Sequence, residues 1–179
     1  MSGQRDAPLT LQGLRQAERI GALLAARFGE RLHDWHWASS PLVRAWQTAV
    51  IIADVLAVPT TRIVHDPRLM EMTWGRWDGM TAAEIEALDP ELWRARIADR
   101  WTVAPPGGGE TQRCIVTRAE AWLADLPAGA CVLAVAHGAL GRALRVAYQG
   151  LPDAAMLEMD EPQDAVFWLR RGEVERLQG

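Results

Sequence analysis

Residues 131–138 read Cys-Val-Leu-Ala-Val-Ala-His-Gly. Six apolar residues in succession are typical of a strand that is buried on both faces of a parallel sheet. The residues that follow, to about Tyr148, have a helical pattern. His137 and Gly138 therefore fall at the carboxyl end of a strand, where open α/β sheets bind their ligands.

The N-terminal third of the chain predicts a helix, a strand and a second helix. Thr10 is the expected N-cap of a helix whose apolar residues recur at spacings of three and four over residues 14–28. A short strand at residues 35–38 leads directly into the second helix, with Ser40 as its N-cap and Pro41 at its first position.

The remaining elements continue the alternation of strands and helices. Thr81 and Glu84 form a capping box at the start of a third helix. The predicted elements are a strand at 61–64, helices at 82–99 and 111–126, and a hairpin of strands at 165–169 and 174–177. This order predicts a three-layer α/β/α sandwich with a largely parallel central sheet. A length of 179 residues predicts one domain, residues 1–179.

The composition excludes several classes of protein. Hydrophobic residues make up 49% and charged residues 23% of the chain, as in folded globular proteins. The net charge of -4 argues against a nucleic-acid partner. No apolar run reaches the length of about 18 residues that a membrane span needs. The polar N-terminus lacks the pattern of a secretory signal, so we expect a cytoplasmic protein.

The cysteines and histidines do not predict a metal site. Cys114 and Cys131 lack ligand spacing and are expected to be buried. His33, His36 and His65 have no nearby carboxylates at metal-ligand spacing, so we expect ordinary surface or strand residues.

A helix that starts at Ser40 places backbone N–H groups and the positive end of the helix dipole close to Arg44. Together these groups favour a bound phosphate. The alternative is a capped helix whose Arg44 is a solvated surface charge, and the segment alone leaves both open.

Two further side chains are candidates for chemistry. His137 either binds phosphate or transfers a proton, and Gly138 lets a ligand approach the backbone closely; the alternative is a hydrogen-bonded structural histidine. Glu71 lies in an irregular segment and is either a proton donor to a leaving group or a solvated loop acid.

Four tryptophans, Trp74, Trp77, Trp93 and Trp101, lie close together in the middle of the chain. Large aromatic residues at such spacings pack in the interior more often than they line a pocket, so we expect packing.

A series of motifs over nearly the whole chain resembles the histidine phosphatase (phosphoglycerate mutase-like) family. The motifs are Gly-Gln-Arg-Asp-Ala-Pro-Leu-Thr at 3–10, Ser-Ser-Pro-Leu-Val-Arg-Ala at 39–45, Gln-Thr-Ala at 47–49, Leu-Met-Glu at 69–71, Trp-Gly-Arg-Trp-Asp-Gly at 74–79, Pro-Gly-Gly-Gly-Glu at 106–110 and Val-Ala-His-Gly at 135–138. Several matches in the family's order are more specific than any one of them, and they favour the functional interpretations above.

The resemblance implies a phosphoglycerate mutase-like fold and a role for each candidate residue. Arg44 would clamp the phosphoryl oxygens, with Ser40 and Gly138 beside it. His137 would stabilise the phosphoryl group during transfer, and Glu71 would protonate the leaving alcohol. The short form of the chain resembles the phosphatase branch, which implies a metal-independent phosphomonoesterase without a cofactor, acting on a small phosphorylated metabolite. A phosphoglycerate mutase and a non-catalytic phosphate-binding module are the alternatives.

One motif of the family does not occur in this sequence. The family begins with a strand that ends in Arg-His-Gly, whose histidine attacks phosphorus, and these 179 residues contain no such triplet. We expect a start codon assigned too far downstream or a truncated sequence, so that the family's first strand is missing and its neighbours have exposed edges. A natural fragment that binds phosphate, or one without function, are the alternatives.

Overall fold

The structure is a computed structural model that describes residues 2–178. The helices are α1 (Leu11–Phe28), α2 (Val43–Val55), α3 (Ala82–Leu88), α4 (Pro90–Ala98), α5 (Gln112–Ala124) and α6 (Gly138–Gln149). The strands are β1 (His36–Ser39), β2 (Ile63–His65), β3 (Val132–Val135), β4 (Val166–Arg170) and β5 (Glu173–Leu177).

Strands β1, β2 and β3 form a parallel sheet in the order β2-β1-β3. In the register of this sheet, Trp37 is paired with Ile63 on one side and with Leu133 on the other. The strand of the sequence motif at 131–138 thus lies beside β1, and their carboxyl ends, at Ser39 and Val135, are paired.

Helices cover both faces of this sheet. On one face, Trp37 and Leu133 belong to a buried cluster with residues of α1 and α2. On the other face, Ala38 and Ala134 pack against a cluster formed by α5 and α6. Side chains of a strand alternate between its two faces, so neighbouring residues separate into the two clusters. The predicted three-layer α/β/α arrangement with a parallel sheet is confirmed.

The remaining elements pack around these layers. The predicted hairpin is confirmed as the antiparallel pair β4 and β5. Helices α3 and α4 pack on the irregular segment that precedes them, through a small cluster of Trp77, Ile85 and Trp93. Trp77 is fully buried and Trp93 is 9% exposed, so the packing role predicted for these two tryptophans is confirmed.

Local side-chain chemistry at two helix starts agrees with the sequence. Thr10 Oγ1 accepts a hydrogen bond from Gly13 N at 3.2 Å at the start of α1. At the start of α3, Thr81 and Glu84 form the predicted capping box in both directions. Each motif involves residues three apart in sequence, so its geometry depends only on the local backbone.

The boundaries of two elements in the middle of the chain differ from prediction. The helix predicted at 82–99 is divided at Asp89, because Pro90 lacks a backbone N–H and takes the first position of a new helix, α4. The strand predicted at 61–64 begins only at Ile63, after a 3-10 turn at Thr60–Arg62.

Burial also differs from expectation at β3. In the part of the chain that the structure describes, β3 pairs only with β1 and is an edge strand, so Leu133 is buried while Val132, Ala134 and Val135 are only partly buried. Cys114 and Cys131 are both exposed, because Cys114 lies on the outer side of α5 and Cys131 immediately precedes this edge strand.

Among residues 2–178, no helix combines the length and the apolar character required to cross a bilayer.

Candidate active site

The candidate site begins at the carboxyl ends of β1 and β3. Ser40 N donates to Val135 O at 2.9 Å, so the sheet ladder continues one residue beyond β1 and fixes Ser40 next to the end of β3. His137 comes two residues after Val135, and its Nε2 lies 2.8 Å from Ser40 Oγ. Two residues that are 97 positions apart in sequence are thus held together by the sheet.

Ser40 does not have the capping role that the sequence predicts. Helix α2 begins at Val43 with Leu42 as its N-cap, since Ser40 is still part of the extended ladder. Val43 N instead donates to Asp6 Oδ1 at 2.8 Å, so a distant carboxylate caps this helix. Ser40 Oγ accepts from Leu42 N at 3.3 Å and remains in contact with His137.

Arg44 lies in the first turn of α2 and is anchored by the N-terminal segment. Its guanidinium donates to Gly3 O at 2.7 Å and to Arg5 O at 3.1 Å. A guanidinium has five N–H donors in a fixed plane, so these two bonds orient Arg44 and leave donors for a ligand. The interpretation of Arg44 as a freely solvated charge is wrong.

Glu71 is not a solvated loop acid. Its Oε1 accepts from Met72 N at 2.8 Å, and its Oε2 lies 3.4 Å from Ala139 N in the first turn of α6. Burial raises the pKa of the Glu71 carboxyl above its usual value, and the negative charge of Glu161 contributes to the rise. The Met72 and Ala139 N–H groups and the charge of Arg44 act in the opposite direction.

His137 is neutral near pH 7 in this structure. Burial, with the positive charges of Arg44 and Arg118, lowers its pKa to about 3. Arg44 thus acts electrostatically on both His137 and Glu71, which places the three groups around one site. A neutral imidazole still offers one N–H donor.

An ion pair from α5 fixes the segment that carries Glu71. Arg118 binds the Glu110 carboxylate through both oxygens, with Nε–Oε1 at 3.0 Å and Nη2–Oε2 at 2.9 Å. Arg118 Nη1 also donates to Arg68 O at 2.7 Å and to Met70 O at 2.6 Å. Glu110 Oε2 accepts from Thr73 N at 3.0 Å. The backbone on both sides of Glu71 is therefore held by one pair of charges, which we call the Arg118–Glu110 brace.

A second set of contacts ties the same segment to the N-terminus of the chain. Gln4 Nε2 donates to the backbone oxygen of Glu71 at 2.9 Å, and Gln4 N donates to Asp78 Oδ1 at 3.3 Å. Asp78 also accepts from Trp74 N at 2.9 Å and from Thr73 Oγ1 at 2.8 Å. Residues 3–6 thus contact both Arg44 and the Glu71 segment.

Glu161 and Arg142 border the site on its α6 side. Arg142 Nη2 and Glu161 Oε1 form an ion pair at 2.5 Å. Glu161 Oε2 approaches Gly138 so closely that a Cβ atom there would lie 2.6 Å from it. A side chain at residue 138 would therefore displace the Glu161 carboxylate, a contact that the sequence did not reveal.

The structure brings all five predicted residues, Ser40, Arg44, Glu71, His137 and Gly138, to one place. Sequence analysis gave no role to Gln4, Asp78, Glu110, Arg118, Arg142 or Glu161. Gln4, Asp78 and Glu110 lie within the quoted motifs, so their position in those motifs was the available signal. Within residues 2–178, no group of three His, Cys, Asp or Glu side chains is arranged to hold a metal ion.

The fold is thus an α/β sandwich in which a partly buried carboxyl, a histidine and an anchored arginine lie near the carboxyl ends of parallel strands. Residues 1–175 match the family model described as "Histidine phosphatase superfamily (branch 1)", and the chain belongs to this family.

Curated relatives include phosphoglycerate mutase-like proteins. The chain is 35% identical over 160 residues to a probable phosphoglycerate mutase of Yersinia enterocolitica, covering 87% of this chain and 69% of that protein. It is 39% identical over 107 residues to a bifunctional protein of Mycobacterium tuberculosis, covering 60% of this chain. That match spans only 27% of the mycobacterial protein, about a quarter of its length.

Among solved structures, the mycobacterial glucosyl-3-phosphoglycerate phosphatase is similar to this chain. Its native structure is 31% identical with a TM-score of 0.71, covering 89% of this chain and 76% of that one. The same protein in complex with inorganic phosphate is 27% identical with a TM-score of 0.73, covering 98% of this chain and 87% of that one.

Proposed function

We propose that this protein is a metal-independent phosphomonoesterase that hydrolyses a small phosphorylated metabolite at the site formed by Ser40, Arg44, Glu71, His137 and Gly138. The observation that carries the proposal is the partly buried Glu71 carboxyl, which contacts Met72 N and Ala139 N and whose pKa is raised by burial above its usual value. Its Oε2 contacts Ala139 N in the first turn of α6, two residues after His137. An acid held in this way suits the protonation of a leaving alcohol.

The phosphoryl group is bound by donors that are already oriented. Arg44 supplies a charged planar fork, which matches phosphate oxygens. The N-terminus of α6, at Gly138, supplies the positive end of a helix dipole. His137 donates a neutral hydrogen bond, and a bound dianion favours its protonated form, so the charge of the histidine increases as the ligand binds.

Glu71 acts on the oxygen of the leaving group. Hydrolysis transfers the phosphoryl group finally to water, which yields inorganic phosphate. As the bond between phosphorus and the ester oxygen breaks, the alkoxide takes the proton of the Glu71 carboxyl and leaves as an alcohol. The N–H groups of Met72 and Ala139 then stabilise the resulting carboxylate. Since the resemblance implies a phosphohistidine intermediate and the sequence contains no Arg-His-Gly, the attacking group is not assigned to a residue of this chain.

A comparison of two esters tests the role of Glu71. p-Nitrophenyl phosphate has a leaving group that needs no proton, whereas glycerol 3-phosphate has an alkoxide that does. We expect Glu71→Gln to lower kcat on glycerol 3-phosphate by about 100-fold, the usual contribution of a general acid, and to change kcat on the aryl ester by less than about 5-fold. Glu86→Gln, an exposed carboxylate on α3, is the control. Equal losses on both esters would show that Glu71 is not the proton donor.

A non-catalytic phosphate-binding module is the second candidate, because the oriented guanidinium of Arg44 and the N-terminus of α6 can bind a phosphate without any attacking group. This function predicts saturable binding of inorganic phosphate in calorimetry without hydrolysis of either ester. Arg44→Ala is then expected to weaken phosphate binding by at least about 10-fold, whereas Arg15→Ala, an exposed arginine of α1, leaves it unchanged. Unchanged binding in Arg44→Ala would contradict both candidates.

A further inference from the structure

Two carboxylates meet at the first turn of α6. Glu71 Oε2 lies 3.4 Å from Ala139 N, and Glu161 Oε2 lies beside the neighbouring residue, Gly138, at 2.6 Å from the position of a Cβ atom. Glu161 therefore lies close enough to the proposed proton donor for its charge to act on Glu71. A leaving group that takes the proton of Glu71 has to come within hydrogen-bond distance of that carboxyl, which brings it near Glu161.

The two oxygens of Glu161 have different environments. Oε1 forms the ion pair with Arg142, whose side chain is only 19% exposed and lies one turn further along α6. Oε2 has no hydrogen-bond donor among residues 2–178, and 37% of the Glu161 side chain is exposed. A carboxylate whose first oxygen is held by an ion pair can accept a hydrogen bond from a ligand through its second oxygen.

Two arginines that bind Asp160 hold the segment that carries Glu161. Asp160, the preceding residue, binds Arg145 and Arg176 through its carboxylate, at 3.3 and 2.6 Å. Arg145 Nη2 also donates to Asp160 O at 2.5 Å. Arg145 thus holds the backbone of the residue before Glu161, and both arginines hold the Asp160 carboxylate, so these contacts keep the segment that carries Glu161 beside α6.

From this geometry we propose that Glu161 selects the leaving group of the substrate. A phosphomonoester whose leaving group presents a hydroxyl or amine to Glu161 Oε2 binds, and one that presents a carboxylate there is rejected. This inference rests on the proposed phosphate site and adds the substrate class: phosphate esters of neutral polyols or amino alcohols. Like charges brought together without a counter-ion are strongly unfavourable, and Arg142 is already neutralised by Glu161.

Two esters of similar size distinguish the classes. Glycerol 3-phosphate and 3-phosphoglycerate differ in that one ends in a hydroxymethyl group and the other in a carboxylate. Calorimetric titration measures binding and does not depend on turnover. We expect the wild-type protein to bind glycerol 3-phosphate at least about 10-fold more tightly, equivalent to about 1.4 kcal/mol.

Two variants with opposite expected effects complete the test. Glu161→Gln is expected to abolish or reverse the preference, because it removes the negative charge and releases Arg142 for the ligand carboxylate. Arg142→Gln is expected to increase the preference, because it leaves the Glu161 charge unpaired. Glu158→Gln removes an exposed charge from the same segment and is expected to leave the ratio unchanged.

The outcomes separate this inference from the proposed function. If inorganic phosphate binds but wild-type affinities for the two esters are equal, or if Glu161→Gln keeps the wild-type ratio, the role of Glu161 is refuted and the phosphate site remains. If neither ester nor inorganic phosphate binds to the wild-type protein or to Glu161→Gln, both proposals fail.

Discussion

The two sides of the candidate site are positioned by different forces. Ser40 and His137 lie at the ends of strands, and the backbone ladder of the sheet places them. Glu71 lies in an irregular segment whose backbone is held by side chains, chiefly the Arg118–Glu110 brace. We refer to these as the strand side and the loop side of the site.

This difference determines which substitutions each side of the site tolerates. A backbone ladder does not depend on the identity of the side chains, so substitutions on the strand side change local chemistry more than position. The loop side depends on a few charged groups, and the loss of one partner leaves the other buried and unpaired. Stability and pH dependence should therefore differ between the two sides.

The largest effect is expected from removal of the brace. Arg118→Met deletes two hydrogen bonds to Glu110 and two to backbone oxygens, and it leaves the Glu110 carboxylate, whose side chain is only 19% exposed, without its positively charged partner. We expect a loss of about 3 kcal/mol in the free energy of unfolding, measured in urea.

Arg113→Met on the same helix is the matched control for the brace. Its ion pair with Asp153 is more exposed, at 66% and 35%, so a loss of at most about 1 kcal/mol is expected. Similar losses in the two variants would refute the proposed importance of the brace.

The next effect is a pH dependence of opposite sign on the two sides. The pKa of His137 is about 3 in the folded protein and near the ordinary value of 6.5 in the unfolded chain. As the pH falls below 6.5, the unfolded chain therefore takes up a proton at this residue before the folded protein does. His137 thus removes stability as the pH falls from about 6.5 towards 3. The raised pKa of Glu71 has the reverse effect: its unfavourable contribution grows as the pH rises above about 4.5.

Urea unfolding at pH 6.5 and 4.5 tests this pair. Between these two pH values, the free energy of unfolding of His137→Asn is expected to fall by about 1 to 2 kcal/mol less than that of the wild type. At pH 7, Glu71→Gln is expected to be more stable than wild type, because the buried carboxylate no longer has to be ionised. A Glu71→Gln protein that is less stable than wild type at pH 7 would contradict the raised pKa.

The smallest effect is expected on the strand side itself. Ser40→Ala removes the contact of Oγ with His137 Nε2 at 2.8 Å and the acceptor for Leu42 N at 3.3 Å, while the bond from residue 40 N to Val135 O remains. We expect a loss of about 1 kcal/mol and an altered His137 tautomer in ¹⁵N NMR spectra. An unchanged tautomer would show that Ser40 does not orient the ring.

Sequence analysis predicted those features whose cause is local or periodic. The caps at Thr10 and Thr81, the strand–helix order and the position of His137 at a strand end all follow from residues that are close in sequence. The break at Asp89 was also encoded locally, by Pro90, but the predicted helix was extended from the capping box through this proline.

The features that sequence analysis missed arise from pairs that are distant in sequence. The start of α2 depends on Asp6, which lies 37 residues before Val43. The support of Glu71 depends on Arg118, which is paired with backbone oxygens 48 and 50 residues away. Periodicity carries no information on such partners, so the chemistry of the site was easier to predict than its scaffold.

The Arg118–Glu110 brace also determines how this protein moves. Because one guanidinium joins α5 to the backbone at Arg68 and Met70, the Glu71 segment cannot open unless it separates from the helix or the helix opens with it. Amide hydrogens at Thr73 and in α5 should then exchange with solvent in one cooperative step. The segment that carries the proposed proton donor would thus open as slowly as helix α5, although Glu71 lies in a loop.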